Sequence, residues 1–148
     1  MEKTPEKFRF SRERGEGMVI CVCGLIGAGK STFSKRYDGV VSDFDEIKNK
    51  QKQIDFTLKK DKAGMKVYHI TCYPTPEEVK AFDDRDVEYV WINTSQTQAM
   101  INIVKRGRER DIKDVKKTKE KNRQIAEKYL HSNIHFRVVD IFDGGERW

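Results

Sequence analysis

The stretch Gly24-Leu25-Ile26-Gly27-Ala28-Gly29-Lys30-Ser31-Thr32 decides the fold of this chain. It matches G-x-x-x-x-G-K-[ST], the pattern of a loop that binds phosphate groups. Its glycines let the backbone curl so that successive N–H groups point inward, and the positive end of a following helix strengthens the field at that point. We therefore predict that Gly24 to Thr32 forms a binding site for ATP.

The sequence on either side of this phosphate loop favours the same interpretation. Residues 18–23 are an apolar, β-branched run typical of a buried strand, and residues 30–38 are able to begin a helix. In that setting Lys30 is expected to reach the β- and γ-phosphates of ATP and to act in catalysis, while the Ser31 hydroxyl ligates Mg²⁺.

The rest of the chain alternates strands with helices. Further strands are predicted at 40–42, 65–73, 87–92 and 135–142, and further helices at 45–62, 76–82, from Thr94 or Ser95 to about 106, and at 112–131. The middle of the last helix, residues 116–123, is expected to have nothing to bury. Five strands in this alternation imply an α/β fold, with a parallel sheet covered on both faces and ligands at the carboxyl ends of the strands.

Composition limits the class of protein. The chain has 148 residues, 36% of them hydrophobic and 36% charged, which suits one domain, predicted at 17–148 behind a flexible arm at 1–16. Its apolar runs are too short for a membrane span, so we expect a cytoplasmic protein without a membrane partner.

The three cysteines, Cys21, Cys23 and Cys72, are interpreted as reduced core residues, and the three histidines receive no role. The oligomeric state is not predicted.

A basic segment carries much of the net charge of +6. Between Lys105 and Arg123 there are ten lysines and arginines against four acidic residues. Such a run is either the solvated face of a helix or a clamp for a polyanionic substrate.

The whole pattern resembles the small P-loop kinases of the adenylate-kinase-like group, which includes nucleoside monophosphate kinases and polynucleotide 5′-hydroxyl kinases. The resemblance covers residues 17–142 in element order, and only the phosphate loop is highly specific. It implies a three-layer P-loop NTPase fold whose five parallel strands lie in the order 2-3-1-4-5. It also implies a small helical lid at about 105–118.

The resemblance further implies roles for residues outside the loop. Asp45 would be the catalytic base at the acceptor, with Asp43 and Lys48 as acceptor contacts, and Asp43 would also help to hold Mg²⁺. Arg106 and Arg110 would stabilise the transferring phosphoryl group, and Arg108 would contact substrate, since a guanidinium fork suits phosphate oxygens. The alternative interpretation is that the acidic residues cap the helix that follows them.

One departure from the family concerns the metal. The third strand ends Ile70-Thr71-Cys72-Tyr73-Pro74, without the usual Walker B aspartate. Magnesium would then be held by Ser31, nucleotide oxygens and water, with Asp43 as a candidate.

Three functions remain open from the sequence. The first is an ATP-dependent kinase acting on a (deoxy)nucleoside monophosphate. The second is a kinase for a polynucleotide 5′-hydroxyl or another small hydroxyl acceptor, which needs a carboxylate base. The third is a nucleotide-binding module without catalysis, with nucleic acid as its partner.

Overall fold

Five parallel strands and the helices between them make up the computed structural model, which describes residues 17–107 and 113–140. The strands are β1 (Met18–Cys23), β2 (Val40–Asp43), β3 (Lys66–Ile70), β4 (Val87–Ile92) and β5 (Phe136–Val139). The helices are α1 (Lys30–Ser34), α2 (Phe44–Ile47), α3 (Lys50–Lys62), α4 (Pro76–Phe82), α5 (Gln96–Arg106) and α6 (Val115–Leu130). The predicted alternation of strands and helices is confirmed.

The sheet order is β2-β3-β1-β4-β5, as the family resemblance implied. Strand β1 lies at the centre, paired in parallel with β3 on one side and with β4 on the other. All six of its residues are buried, as expected for a strand covered by helices on both faces. The carboxyl ends of all five strands therefore meet at one edge, and the phosphate loop leaves β1 at the middle of that edge.

The predicted helix over 45–62 is two helices. Lys48 ends α2 in the left-handed conformation, with a φ of 63°, and its N–H donates to the Phe44 carbonyl. Asn49 then caps α3, its side chain accepting a hydrogen bond from the Lys52 N–H at 2.9 Å. An asparagine cap in the middle of a helical run marks a new start. The helix predicted over 30–38 is likewise shorter and ends at Ser34.

The expectation that the middle of α6 buries nothing is wrong. Thr118 and Asn122, four residues apart on one face, are only 5% and 1% exposed. Toward the end of the same helix, the Tyr129 ring stacks on Trp91 with centroids 4.0 Å apart. The helix is thus fixed to the domain along its length, while its lysines face outward.

Some predictions fall on residues outside the described ranges. The arm at 1–16, Arg108, Arg110 and the end of the last predicted strand are among them. Within the described ranges, no helix combines the length and the apolar character that crossing a membrane requires.

Candidate nucleotide and phosphoryl-transfer site

The phosphate loop connects β1 to α1 through turns that require glycine. Gly27 and Gly29 have φ angles of 87° and 98°, in the left-handed region. A Cβ on Gly27 would also lie 2.5 Å from the Ala99 carbonyl oxygen of α5. The loop therefore lies directly against α5 and follows a path that other residue types are strained to adopt.

Three side chains from outside the loop bind its peptide groups. Thr94 Oγ1 donates to the Ala28 carbonyl at 3.0 Å, and Asn102 Nδ2 donates to the Gly27 carbonyl at 2.9 Å. Asn122 contacts Ile26 twice, accepting from its N–H at 2.7 Å and donating to its carbonyl at 3.1 Å. Carbonyl oxygens repel phosphate, so fixing them to scaffold donors favours a loop that presents N–H groups to an anion.

Lys30 lies across its own loop. Its Nζ donates to the carbonyls of Gly24 and Leu25 at 2.9 and 2.7 Å, and it lies 3.7 Å from Cys72 Sγ. These contacts keep the ammonium at the end of β1, in the cleft wall. The side chain is thus held beside the loop that the sequence predicted as the triphosphate site.

Ser31 and Asp43 lie next to each other at the candidate metal position. Ser31 Oγ lies 3.5 Å from Asp43 Oδ2, although the two residues come from different elements. Mg²⁺ prefers hard oxygen ligands and usually takes one or two from protein, with the rest from phosphate and water. The hydroxyl–carboxylate pair fits this preference. Among the described residues, no group of three or more His, Cys, Asp or Glu side chains could hold a metal by itself.

A cleft of about 560 Å³ joins the loop to the ends of β2, β3 and α5. Its walls are formed by Ile26, Gly27, Ala28, Gly29, Lys30, Ser31, Thr32, Asp43, Phe44, Asp45, Lys50, Ile70, Thr71, Cys72, Asn102, Lys105 and Arg106. The structure therefore brings the two acidic candidates and Arg106 to the same cavity as the phosphate loop. Gly24 lies behind it, buried at the base of the loop.

The two acidic candidates have different surroundings. Asp43 caps α2, because its Oδ1 accepts the Asp45 N–H at 3.0 Å while its other oxygen faces Ser31. The capping alternative thus holds for Asp43, which has both contacts at once. Asp45 lies in the first turn of α2 and lines the cleft.

Lys48 is not brought to the cleft. Its left-handed backbone ends α2, its side chain is exposed, and it is not among the residues that form the walls. Lys50, two residues later, lines the cavity instead. Sequence reasoning missed it because the predicted helix was continuous, and the break at Asn49 shifts which lysine faces inward.

Lys50 is anchored on a buried polar network. Its Nζ lies 2.8 Å from Glu78 Oε2, and that carboxylate also accepts from His69 Nε2 at 2.5 Å. His69 Nδ1 in turn lies 2.7 Å from Thr57 Oγ1. The side chains of Glu78 and His69 are both fully buried. The histidine that received no role from the sequence therefore supports a lysine of the cleft.

The protonation states of this network follow from burial and pairing. Burial raises the pKa of Glu78, but hydrogen bonds from His69 and Lys50 outweigh it and bring the pKa to about 2. Burial lowers the pKa of His69 below its usual 6.5, despite the neighbouring carboxylate. At neutral pH the pair is an ionised Glu78 that accepts a hydrogen bond from a neutral imidazole.

Comparisons with known proteins support the fold alone. No protein-family model and no curated protein sequence matches the chain. Among solved structures, deoxyadenosine kinase from M. mycoides with bound dCTP is similar with a TM-score of 0.52 and 18% identity, covering 83% of this chain and 90% of that one. The same kinase with bound dATP gives 0.49 at 18% identity, over 82% of this chain and 90% of that chain. The chain has the fold of the P-loop NTPase kinases.

Proposed function

We propose that this chain is an ATP-dependent phosphotransferase of the adenylate-kinase-like group, acting on a hydroxyl of a nucleoside or nucleotide. One observation carries the proposal: Asp45 lines the same cleft as Lys30 and Ser31 of the phosphate loop. A carboxylate facing a triphosphate site is what transfer to a hydroxyl requires. The fold shared with deoxyadenosine kinase is consistent with a nucleoside acceptor.

On the donor side, the phosphate loop and Lys30 hold the triphosphate of ATP. When ATP binds, the Lys30 ammonium donates to phosphate oxygens in place of the Gly24 and Leu25 carbonyls, because the anionic oxygens are the stronger acceptors. Ser31 and Asp43 would hold Mg²⁺, which supplies charge neutralisation at the phosphates when bound. Among the residues that the structure describes, Arg106 at the end of α5 is the arginine that lines the cleft. Its guanidinium suits the equatorial oxygens of the transferring phosphoryl group.

On the acceptor side, Asp45 accepts the proton of the attacking hydroxyl. The hydroxyl oxygen forms a bond to the γ-phosphorus, the bond from that phosphorus to the β–γ bridging oxygen breaks, and ADP leaves. A general base in this position contributes roughly 10²- to 10⁴-fold in rate.

A nucleoside monophosphate acceptor, the first expectation from the sequence, is the second candidate. Three cations besides Lys30 line the cleft, namely Lys50, Lys105 and Arg106, and such cations suit an acceptor that carries its own phosphate. A monophosphate brings an ionised oxygen as nucleophile. It therefore has little need of a base.

The two candidates are separated by an acceptor screen with γ-labelled ATP, using nucleosides, nucleoside monophosphates and a 5′-hydroxyl oligonucleotide at equal concentration. For a hydroxyl acceptor, Asp45→Asn lowers kcat by about 10²-fold or more. Glu46→Gln is the matched control, because Glu46 is an exposed neighbour outside the cleft wall. Transfer to monophosphates alone, with Asp45→Asn nearly as active as wild type, would establish the second candidate.

A protein that binds ATP and transfers phosphate to none of these acceptors would be a nucleotide-binding module. The same oligonucleotide then serves as a binding probe. Affinity that falls steeply with salt would identify a phosphate-tracking protein, and no binding would exclude nucleic acid as its partner.

A further inference from the structure

Helix α2 carries the candidate base but has little packing of its own. It is a single turn of four residues, none of them buried. A helix this short is marginal by itself in water. The order of the turn that carries Asp45 must therefore depend on contacts from outside it.

Two such contacts are visible at its start. The Asp43 side chain accepts the Asp45 N–H at 3.0 Å and caps the turn. The Lys50 ammonium lies over the Phe44 ring, 5.2 Å from its centroid. A cation in this position is attracted to the ring, so Lys50 holds the residue that immediately precedes Asp45.

Lys50 is itself fixed from below. Its three N–H groups find three acceptors: Gln53 Oε1 at 3.0 Å, Thr71 Oγ1 at 3.2 Å and Glu78 Oε2 at 2.8 Å. Glu78 is fully buried, and its other oxygen accepts the Thr75 N–H at 2.8 Å. Gln53, Thr71 and Glu78 are all buried, so the ammonium is held among three acceptors of the core.

We propose that Lys50 is a positioning residue for Asp45, acting through the Phe44 ring. The buried pair of His69 and Glu78 fixes the Lys50 ammonium, and the ammonium fixes the Phe44 ring. The ring in turn fixes helix α2, which carries the Asp45 carboxylate. The part of the inference that concerns catalysis depends on the proposed function. The part that concerns the order of α2 does not.

The test combines amide hydrogen exchange with kinetics on the full chain. Lys50→Met removes the charge and keeps most of the stem, Lys50→Arg keeps a cation, and Lys52→Met changes an exposed lysine of the same helix. In Lys50→Met the amides of Asp45 and Lys48 are expected to exchange about 2- to 30-fold faster, the range that a cation–π contact supplies. Lys50→Arg restores slow exchange, and Lys52→Met leaves it unchanged.

In the kinetic experiment, Lys50→Met lowers kcat by a similar factor and leaves the KM values for ATP and acceptor within about twofold, because the base is misplaced while the phosphate loop and the other residues of the cleft wall remain. Lys50→Arg recovers most of kcat. A raised acceptor KM at unchanged kcat would overturn the inference and make Lys50 a direct substrate contact.

A second variant protects the test against misfolding. Phe44→Leu leaves the ion pair of Lys50 and Glu78 intact and removes only the ring, so the amides of Asp45 and Lys48 should again exchange faster. Unchanged exchange in both Lys50→Met and Phe44→Leu would refute the positioning role. A wild-type chain that transfers no phosphate would refute the proposed function, while the exchange data would still decide the role of Lys50.

Discussion

Asn122 of α6 and Ile26 of the phosphate loop form a pair of hydrogen bonds across 96 positions of sequence. The asparagine accepts the Ile26 N–H at 2.7 Å and donates to the Ile26 carbonyl at 3.1 Å. A side-chain amide is the right size to satisfy both groups of one peptide residue. The lysine-rich helix α6 is therefore attached to the phosphate loop by a neutral side chain.

The first prediction concerns this pair. Asn122→Ala leaves two partly buried backbone groups without their partner, so we expect a loss of about 1–3 kcal/mol in the free energy of unfolding. We also expect a weaker Kd for ATP, because the loop is no longer fixed at Ile26. Urea unfolding and calorimetric titration with ATP provide the measurements. Lys121→Ala, at the exposed neighbouring position, should change neither quantity. Equal effects of both variants would contradict the conclusion that Asn122 fixes the phosphate loop at Ile26.

The second prediction compares two glycines with left-handed φ angles. Gly27→Ala would place a methyl group 2.5 Å from the Ala99 carbonyl oxygen, whereas a Cβ on Gly107, at the end of α5, would meet no atom of the described residues within 4 Å. We expect Gly27→Ala to abolish ATP binding or folding. Gly107→Ala should cost only about 1 kcal/mol, because it has the backbone strain without the contact. Thermal unfolding and ATP titration of both variants measure the difference, and similar losses in the two would show that strain alone is responsible.

The third prediction concerns the metal site. Ser31→Ala and Asp43→Asn each remove one of the two adjacent oxygen ligands, so the Mg²⁺ concentration for half-maximal phosphoryl transfer should rise, by about tenfold or more. Excess EDTA should stop the reaction in the wild type. A magnesium titration at fixed ATP is the measurement. Ser34→Ala is the control, since the Ser34 hydroxyl donates to the Lys30 carbonyl and lies outside the cleft wall. An unchanged magnesium requirement in Ser31→Ala would argue against a metal site at Ser31 and Asp43.

The fourth prediction concerns stability at low pH. The folded-state pKa values of His69 and Glu78 both lie below their ordinary values of 6.5 and 4.5, so the unfolded chain binds the extra protons. Their contribution is present above pH 6.5 and is lost as pH falls, first for His69 and then, between 4.5 and about 2, for Glu78.

Urea unfolding between pH 8 and pH 4 checks this expectation. The decline that begins below pH 6.5 in the wild type should be smaller in His69→Gln, even though that variant begins from a lower stability. His131→Gln changes an exposed histidine and should follow the wild-type curve. The assignment fails if His69→Gln retains the full decline.

The sequence was sufficient for the individual strands and for the phosphate loop, because both depend on local signals. The run Met18–Cys23 is apolar throughout, and the loop motif is contiguous, so strand, turn and helix follow in order. The strand order came from the family resemblance, and the observed sheet confirms it.

The rest of the candidate site depends on contacts between distant residues. The Glu78 side chain completes the cap of α4 and also meets Lys50, 28 positions away, and nothing near either residue indicates that contact. Asn122 similarly stands among lysines that suggest a solvated face. One local signal was available: Asn49 after Lys48 is a helix start, and taking it as one would have turned attention from Lys48 to Lys50.

The close approach of the phosphate loop to α5 has a mechanical consequence. Because Gly27 leaves no space against the Ala99 carbonyl, and Asn102 of the same helix holds the Gly27 carbonyl, the loop cannot tilt independently of α5. Lys105 and Arg106 lie at the other end of that helix, so their positions depend on the same contacts. A movement that narrows the cleft is therefore expected on the α2 side, and a ligand that displaces α5 would carry the phosphate loop with it.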